Sequence, residues 1–318
     1  MAGAESRQDP EAGVLAGQAA GLLFKCDPLW QSGLPALLTA LVMVNGLSGA
    51  DPIRIWPDLA PGEKTKLTGT LQPFRKNEKP PVSRVENITL PTMTFHPADK
   101  PNGAAVVILP GGGFAKVVPN KEGTEYAAIL NRIGVAAFVL SYRTRGSGET
   151  EPWKKPLQDA QRAIAFVRAH ADDYQLKRDR IGLVGFSAGG NVAARLLCGG
   201  SRKTYPRIDA MDDQPHRPDF AMLVYPWNIL DVKSGKLVDG VAVPADCPPT
   251  FLVHTHDDRS TSLGTVLFYV GLKQHRIPAA LHVYSNGGHG YGTRPIPGSR
   301  ISDWSSQSTG WLESFGWK

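Results

Sequence analysis

Cysteine is scarce in this chain. Only Cys26, Cys198 and Cys247 occur in 318 residues, without C-x-x-C spacing, so neither a disulfide framework nor a zinc knuckle is expected. A long apolar run is also missing. The longest, residues 34–47 (LPALLTALVMVNGL), falls short of the ~20 residues a membrane-spanning helix needs, so no stable membrane insertion is expected. No stripe of one charge is present. The 35 lysines and arginines are scattered among 29 acids for a net charge of +6, which argues against nucleic acid as a partner. Internal repeats and a second-domain boundary are absent too, and the length suits one large α/β domain.

What is there begins after an unusual start. Residues 1–20 are small and polar without periodicity, and no fold is expected for them. Lys25 then precedes the apolar run, and Ser48-Gly49-Ala50 puts small residues where a cleavage site needs them. Residues 1–50 therefore read as an extension plus a secretory signal, and 51–318 as a mature, exported domain. A cytoplasmic chain with an unstructured extension is the alternative.

Residues 51–81, rich in proline, glycine and lysine, should lie extended over the domain edge. Residues 87–96 (NITLPTMTFH) alternate and break at Pro91, which suits an edge strand or hairpin. Buried strands are expected at 104–109, 135–140, 181–186, 220–225, 251–254 and 281–284, and helices at 122–133, 152–177, 191–197 and 263–274. Strands alternating with helices predict an α/β fold, a mostly parallel central sheet with helices on both faces.

The stretch RIGLVGFSAGGNVAARLL, residues 180–197, passes from a buried strand through Gly185-Phe186-Ser187-Ala188-Gly189 into a helix. This is G-x-S-x-G in strand-to-helix context, the turn that lifts a serine hydroxyl out of a sheet. A structural serine in a glycine-rich turn is the bland alternative, so the partners decide. Serine needs a base, and the base needs a carboxylate to hold its tautomer. The strand at 251–254 runs into Asp257 and Asp258, and the strand at 281–284 into Gly287-Gly288-His289-Gly290. Asp258 is the expected acid because it lies one residue further into the loop, with Asp257 left to fix that loop. His289, flanked by glycines, is the expected base. A metal set of His254, His256 and Asp258 at i, i+2, i+4 is the competing reading; no metal and no cofactor are expected. Ala188 together with Gly112 and Gly113 of Pro110-Gly-Gly-Gly-Phe114 would supply oxyanion donors. Phe114 would close an acyl pocket, and Trp153 and Trp227 would stand near its rim. A phosphate cradle would instead require a glycine spacing that opens a helix, and Pro119 interrupts there.

With these residues in view the chain resembles the α/β-hydrolase superfamily over roughly residues 53–317. Within it, the resemblance is to bacterial acetylxylan-esterase-like carbohydrate esterases, near the hormone-sensitive-lipase and dienelactone-hydrolase-like branches. The matching pieces are WPDLAPG (56–62), PGGGF (110–114), SYR (141–143), DAQRA (159–163), RIGLVGFSAGG (180–190), HTHDD (254–258) and GGHG (287–290). Pro110 stands where lipase relatives carry a histidine, and Arg259-Ser-Thr-Ser262 where such esterases often carry Val-Pro. The resemblance implies a serine esterase removing acetyl or another small acyl group from a small-molecule or oligosaccharide ester. Alternatives are a peptidase or lipase of the same fold, or a non-catalytic binding protein. A binding module gains nothing from an activated serine, and residues 227–248 are too short and polar for a lipase lid.

Overall fold

A computed structural model describes residues 51–146 and 148–317; the expected extension and signal at 1–50 lie outside the described residues. The core is an eight-stranded sheet of β1 (Ile53–Arg54), β2 (Thr92–His96), β3 (Ala105–Leu109), β4 (Ala136–Ser141), β5 (Ile181–Phe186), β6 (Phe220–Val224), β7 (Thr250–Thr255) and β8 (Ala279–Tyr284). The order across the sheet is β1-β2-β4-β3-β5-β6-β7-β8. β1 and β2 pair antiparallel with their neighbours, and the remaining strands run parallel.

The inner strands are apolar without interruption because both their faces are covered. In β3, Ala105, Val107 and Leu109 point to one face with α2 (Lys154–Ala169), α3 (Ala188–Cys198) and α4 (Leu263–Gln274), while Val106 and Ile108 point to the other with α1 (Glu125–Asn131) and α5 (Trp304–Glu313). Cys198 and Cys247 are unpaired thiols, and burial pushes the Cys247 pKa up to about 11. Among the described residues no helix is long and apolar enough to cross a membrane.

Several expectations shift at element ends. The helix expected at 152–177 stops at Ala169; Gln175 takes φ 56°, and Leu176 N–H bonds the Ala171 carbonyl, so Leu176 reaches the core by a turn rather than by helical continuation. The helix expected from residue 122 opens instead as a wide turn, Asn120–Thr124, in which Glu122 leaves helical geometry, and α1 follows. β2 is second from the edge, covered over two residues by β1, and residues 51–81 carry a second short strand, Thr70–Leu71. Of the elements without a counterpart in the sequence reading, two are the largest. One is an excursion between α3 and β6, carrying the short helix Ala210–Asp213; the other is α5. Trp304, Ser308 and Leu312 form the buried stripe of α5, and the central serine, bonded to the Tyr126 hydroxyl at 2.8 Å, breaks its apolar signal.

Residues 56–61 are tied down by a buried ion pair. Asp159 on α2 accepts from Trp56 Nε1 (2.8 Å), Arg143 N–H (2.9 Å) and Arg143 Nε (3.0 Å), and Arg143 also donates to the Pro61 carbonyl. Both side chains are fully buried, and removing the acid leaves the guanidinium only Glu63, at 3.7 Å, as a counter-charge. Asp159→Ala should lower stability by about 3–5 kcal/mol, read as an earlier denaturant midpoint. A midpoint within error of the native protein would show that this pair is not what anchors the segment.

Candidate active site

The turn between β5 and α3 holds Ser187 at φ 51° and ψ −116°, a strained backbone for a residue with a side chain. Glycine is required on either side: a Cβ at Gly185 would meet the Gly189 carbonyl, and one at Gly189 would meet the Leu109 carbonyl. Two bonds fasten the turn to the neighbouring strand and loop, Ser187 N–H to the Val224 carbonyl and Trp227 N–H to the Ser187 carbonyl.

Ser187 Oγ lies 2.7 Å from His289 Nε2, and His289 Nδ1 lies 2.5 Å from Asp258 Oδ2. The chain of donors is then O–H to Nε2 and Nδ1–H to the carboxylate. Asp257 faces away from this line and accepts from the N–H groups of Gly287 (3.2 Å) and Gly288 (2.9 Å), which shapes the loop bearing His289. That loop passes through left-handed backbone at Gly287, Gly288 and Gly290.

Asp258 Oδ2 has a second donor. His254, fully buried on β7, gives its Nε2–H at 2.9 Å and accepts at Nδ1 from the Thr265 hydroxyl on α4 at 2.8 Å. Ser260 N–H bonds the other oxygen at 2.8 Å. Burial opposes the charge on Asp258, but the donors from His254, His289 and Ser260 outweigh it and hold the carboxyl far below its ordinary pKa. His256, one residue past the end of β7, is exposed and takes no part, so the His254, His256, Asp258 metal set is not assembled. His254, Asp258 and His289 do put three ligand-type atoms within 4.8 Å of one another, joined here by hydrogen bonds.

Gly112, Gly113, Ser187, Trp227 and His289 line a pocket of about 330 Å³ together with Val118. The N–H groups of Gly112, Gly113 and Ala188 have no acceptor among the described residues. The Gly111 N–H is spent on Glu122 Oε2 at 2.7 Å. Phe114, expected to close the pocket, is buried behind it at φ 62°; its ring centroid is 5.9 Å from that of Trp227, which forms the wall instead. Trp153 does not line the pocket and lies under the Arg195 guanidinium. A larger depression of about 720 Å³ beside β8 contains no nucleophile and base in contact.

Glu122 carried no signal in the sequence, where an acid at a helix start has an ordinary use against the dipole. In the fold it is buried beneath the glycine loop and joins the lining of the Ser187 pocket. It accepts from Gly111 N–H and from the Tyr225 hydroxyl (2.9 Å), which in turn accepts from Gly292 N–H (3.1 Å). Burial raises its pKa against these hydrogen bonds and the field of His289.

Sheet order, elbow serine and loop histidine define the α/β-hydrolase fold. A family model described as BD-FAE matches residues 93–222, a span that includes Ser187 and ends before Asp258. An acetylxylan esterase of Xylanibacter ruminicola is 26% identical over 218 residues, covering 61% of this chain and 42% of the relative. Endo-1,4-beta-xylanase B of Butyrivibrio fibrisolvens is 29% identical over 214 residues, covering 58% and 32%. The chain thus spans less than half the length of these curated relatives. An acetyl ester-xyloside bifunctional hydrolase from Caldicellulosiruptor lactoaceticus superposes with a TM-score of 0.66 at 26% identity, over 84% of this chain and 96% of that one. The chain has the α/β-hydrolase fold and is similar to acetylxylan esterases and acetyl ester hydrolases of that fold.

The Glu122 network should act through the position of the glycine loop. Glu122→Gln leaves one of its donors without a good acceptor, worth ~1–3 kcal/mol, so kcat on an ester substrate should fall by about tenfold or more while KM moves less. Equal changes in both, or none, would reduce Glu122 to a packing role.

Proposed function

We propose that this chain is a serine carboxylic-ester hydrolase that removes acetyl or similarly short acyl groups from carbohydrate, such as acetylated xylan, through an acyl-enzyme on Ser187. The observation that carries the reading is the line from Ser187 Oγ through His289 to Asp258, at 2.7 and 2.5 Å, beside three N–H groups without acceptors. His289 Nε2 takes the serine proton as Oγ attacks the ester carbonyl, and Asp258 steadies the imidazolium. Ala188 N–H with Gly112 or Gly113 N–H receives the developing oxyanion. His289 then returns the proton to the leaving alcohol, and a water repeats the sequence on the acyl-enzyme.

The pocket supports short acyl groups, since about 330 Å³ lies at the small end of ligand sites and no lid extends it among the described residues. A glycanase would need two carboxylates flanking one bond. Asp258 is engaged by two histidines, and Glu122 by Gly111 and Tyr225, which favours the esterase reading. The reading includes 51–318 as an exported catalytic domain that follows a cleaved segment ending near residue 50.

Ser187→Ala and His289→Ala should each lower kcat by ~10³ or more, and Asp258→Asn should cost more than Asp257→Asn. Reversed Asp effects would move the acid to Asp257. On p-nitrophenyl esters from acetyl to dodecanoyl, kcat/KM should peak at the shortest chains, because each further methylene left in water forgoes ~0.8 kcal/mol of burial. A steady rise to octanoyl would point to an apolar acyl channel and a lipase.

A further inference from the structure

One wall of the Ser187 pocket is made by two segments that fasten each other. The Asn120 side chain accepts from Ser83 N–H and donates to the Pro81 carbonyl, both at 2.9 Å, and Arg294 donates to the Pro80 and Pro81 carbonyls while pairing with Glu125. This clamp brings two cations, Arg84 and Lys121, to the lining that also holds Ser187 and His289.

The two cations differ in state. Arg84 is bidentate to Glu78 at 2.8 and 2.6 Å, so its charge is met within the protein. Lys121 is half-buried and has no hydrogen bond and no carboxylate within 4.0 Å among the described residues. The acids whose fields reach it are already engaged: Glu122 by Gly111 and Tyr225, Glu125 by Arg294, Glu78 by Arg84. Burial lowers the Lys121 pKa, Arg294 adds to this, and the three acids oppose it. Burial removes part of the hydration of this ammonium without bringing a carboxylate within 4.0 Å, which is unfavourable, and an anion bound beside it offsets that penalty.

We infer that Lys121 determines specificity by binding a carboxylate carried by the ester, so that anionic esters are the preferred substrates of this site. The inference rests on the ester-hydrolase reading and narrows it. The carboxylate can belong to the alcohol side, as in an acetylated oligosaccharide bearing a uronic acid, or to the acyl side, as in a hemisuccinate.

Two matched pairs separate these sources: acetylated xylo-oligosaccharides with and without a uronic acid branch, and p-nitrophenyl hemisuccinate against p-nitrophenyl butyrate. For one pair the native enzyme should favour the anionic member in kcat/KM by about tenfold, the scale of one charge-assisted hydrogen bond. That ratio should collapse toward one in Lys121→Gln, persist in Lys121→Arg, and shrink as NaCl rises. The pair showing the preference identifies the side that carries the carboxylate. An equal ratio in the native enzyme and Lys121→Gln, or a preference for the neutral member in both pairs, overturns the inference. Should Lys121→Gln fail to fold, the salt response of the native ratio decides, and a ratio indifferent to salt is the contrary result. If neither member of either pair is hydrolysed, the esterase reading itself falls, and this inference with it.

Discussion

One carboxylate oxygen organises the site. Oδ2 of Asp258 accepts from His254 below and His289 above, and a buried anion with two imidazole donors can stay charged where an isolated one could not. The geometry constrains much of the fold. β7 must end at Thr255 for Asp258 to turn back over His254, α4 must present Thr265 to the far nitrogen of that ring, and Asp257 must hold the glycine loop so that His289 reaches across to Ser187. The serine meets this line from the opposite side, fixed by a strained turn that α3 and the Val224 carbonyl keep in place.

The glycine loop after β3 is the second dependent piece. Its free N–H groups are useful only if the loop cannot flex. Glu122 secures Gly111, and the Tyr142 hydroxyl bonds the Pro110 carbonyl at 2.5 Å. Pro110 stands where lipase relatives carry a histidine, and the support here comes from beneath, through a buried acid and two tyrosines, Tyr142 and Tyr225.

The parallel sheet could be read from the sequence because β3 to β6 are covered on both faces, which leaves unbroken apolar runs such as AVVIL and FAMLV. What could not be read depended on contacts distant in the chain. α5 hides its stripe behind Ser308, whose partner is Tyr126 on another helix. The apolar spacing Leu157, Ala160, Ile164, Val167, Ala171 suggests helix beyond Ala169, but Ala171 is buried at the start of a turn closed by Leu176 N–H on its carbonyl. At the site, Ser187, Asp258 and His289 were visible through glycine spacing and strand-end position. His254 stood out only as a member of a metal set with Asp258, not as a donor to the carboxylate, and Glu122 did not stand out at all, since an acid at a helix start has an ordinary use. The direction of the Phe114 side chain after a glycine turn is set by backbone angles that composition does not reveal.

The central claim is that Ser187 becomes acylated. The most direct measurement is mass spectrometry of the protein quenched during turnover of p-nitrophenyl acetate, with peptide mapping of any adduct. The account predicts a transient acetyl group on the peptide containing Ser187, accumulating in Asp258→Asn if the second half of the cycle slows more than the first. Ester hydrolysis at full rate in Ser187→Ala, or an acyl adduct mapped reproducibly to a different residue, would contradict it.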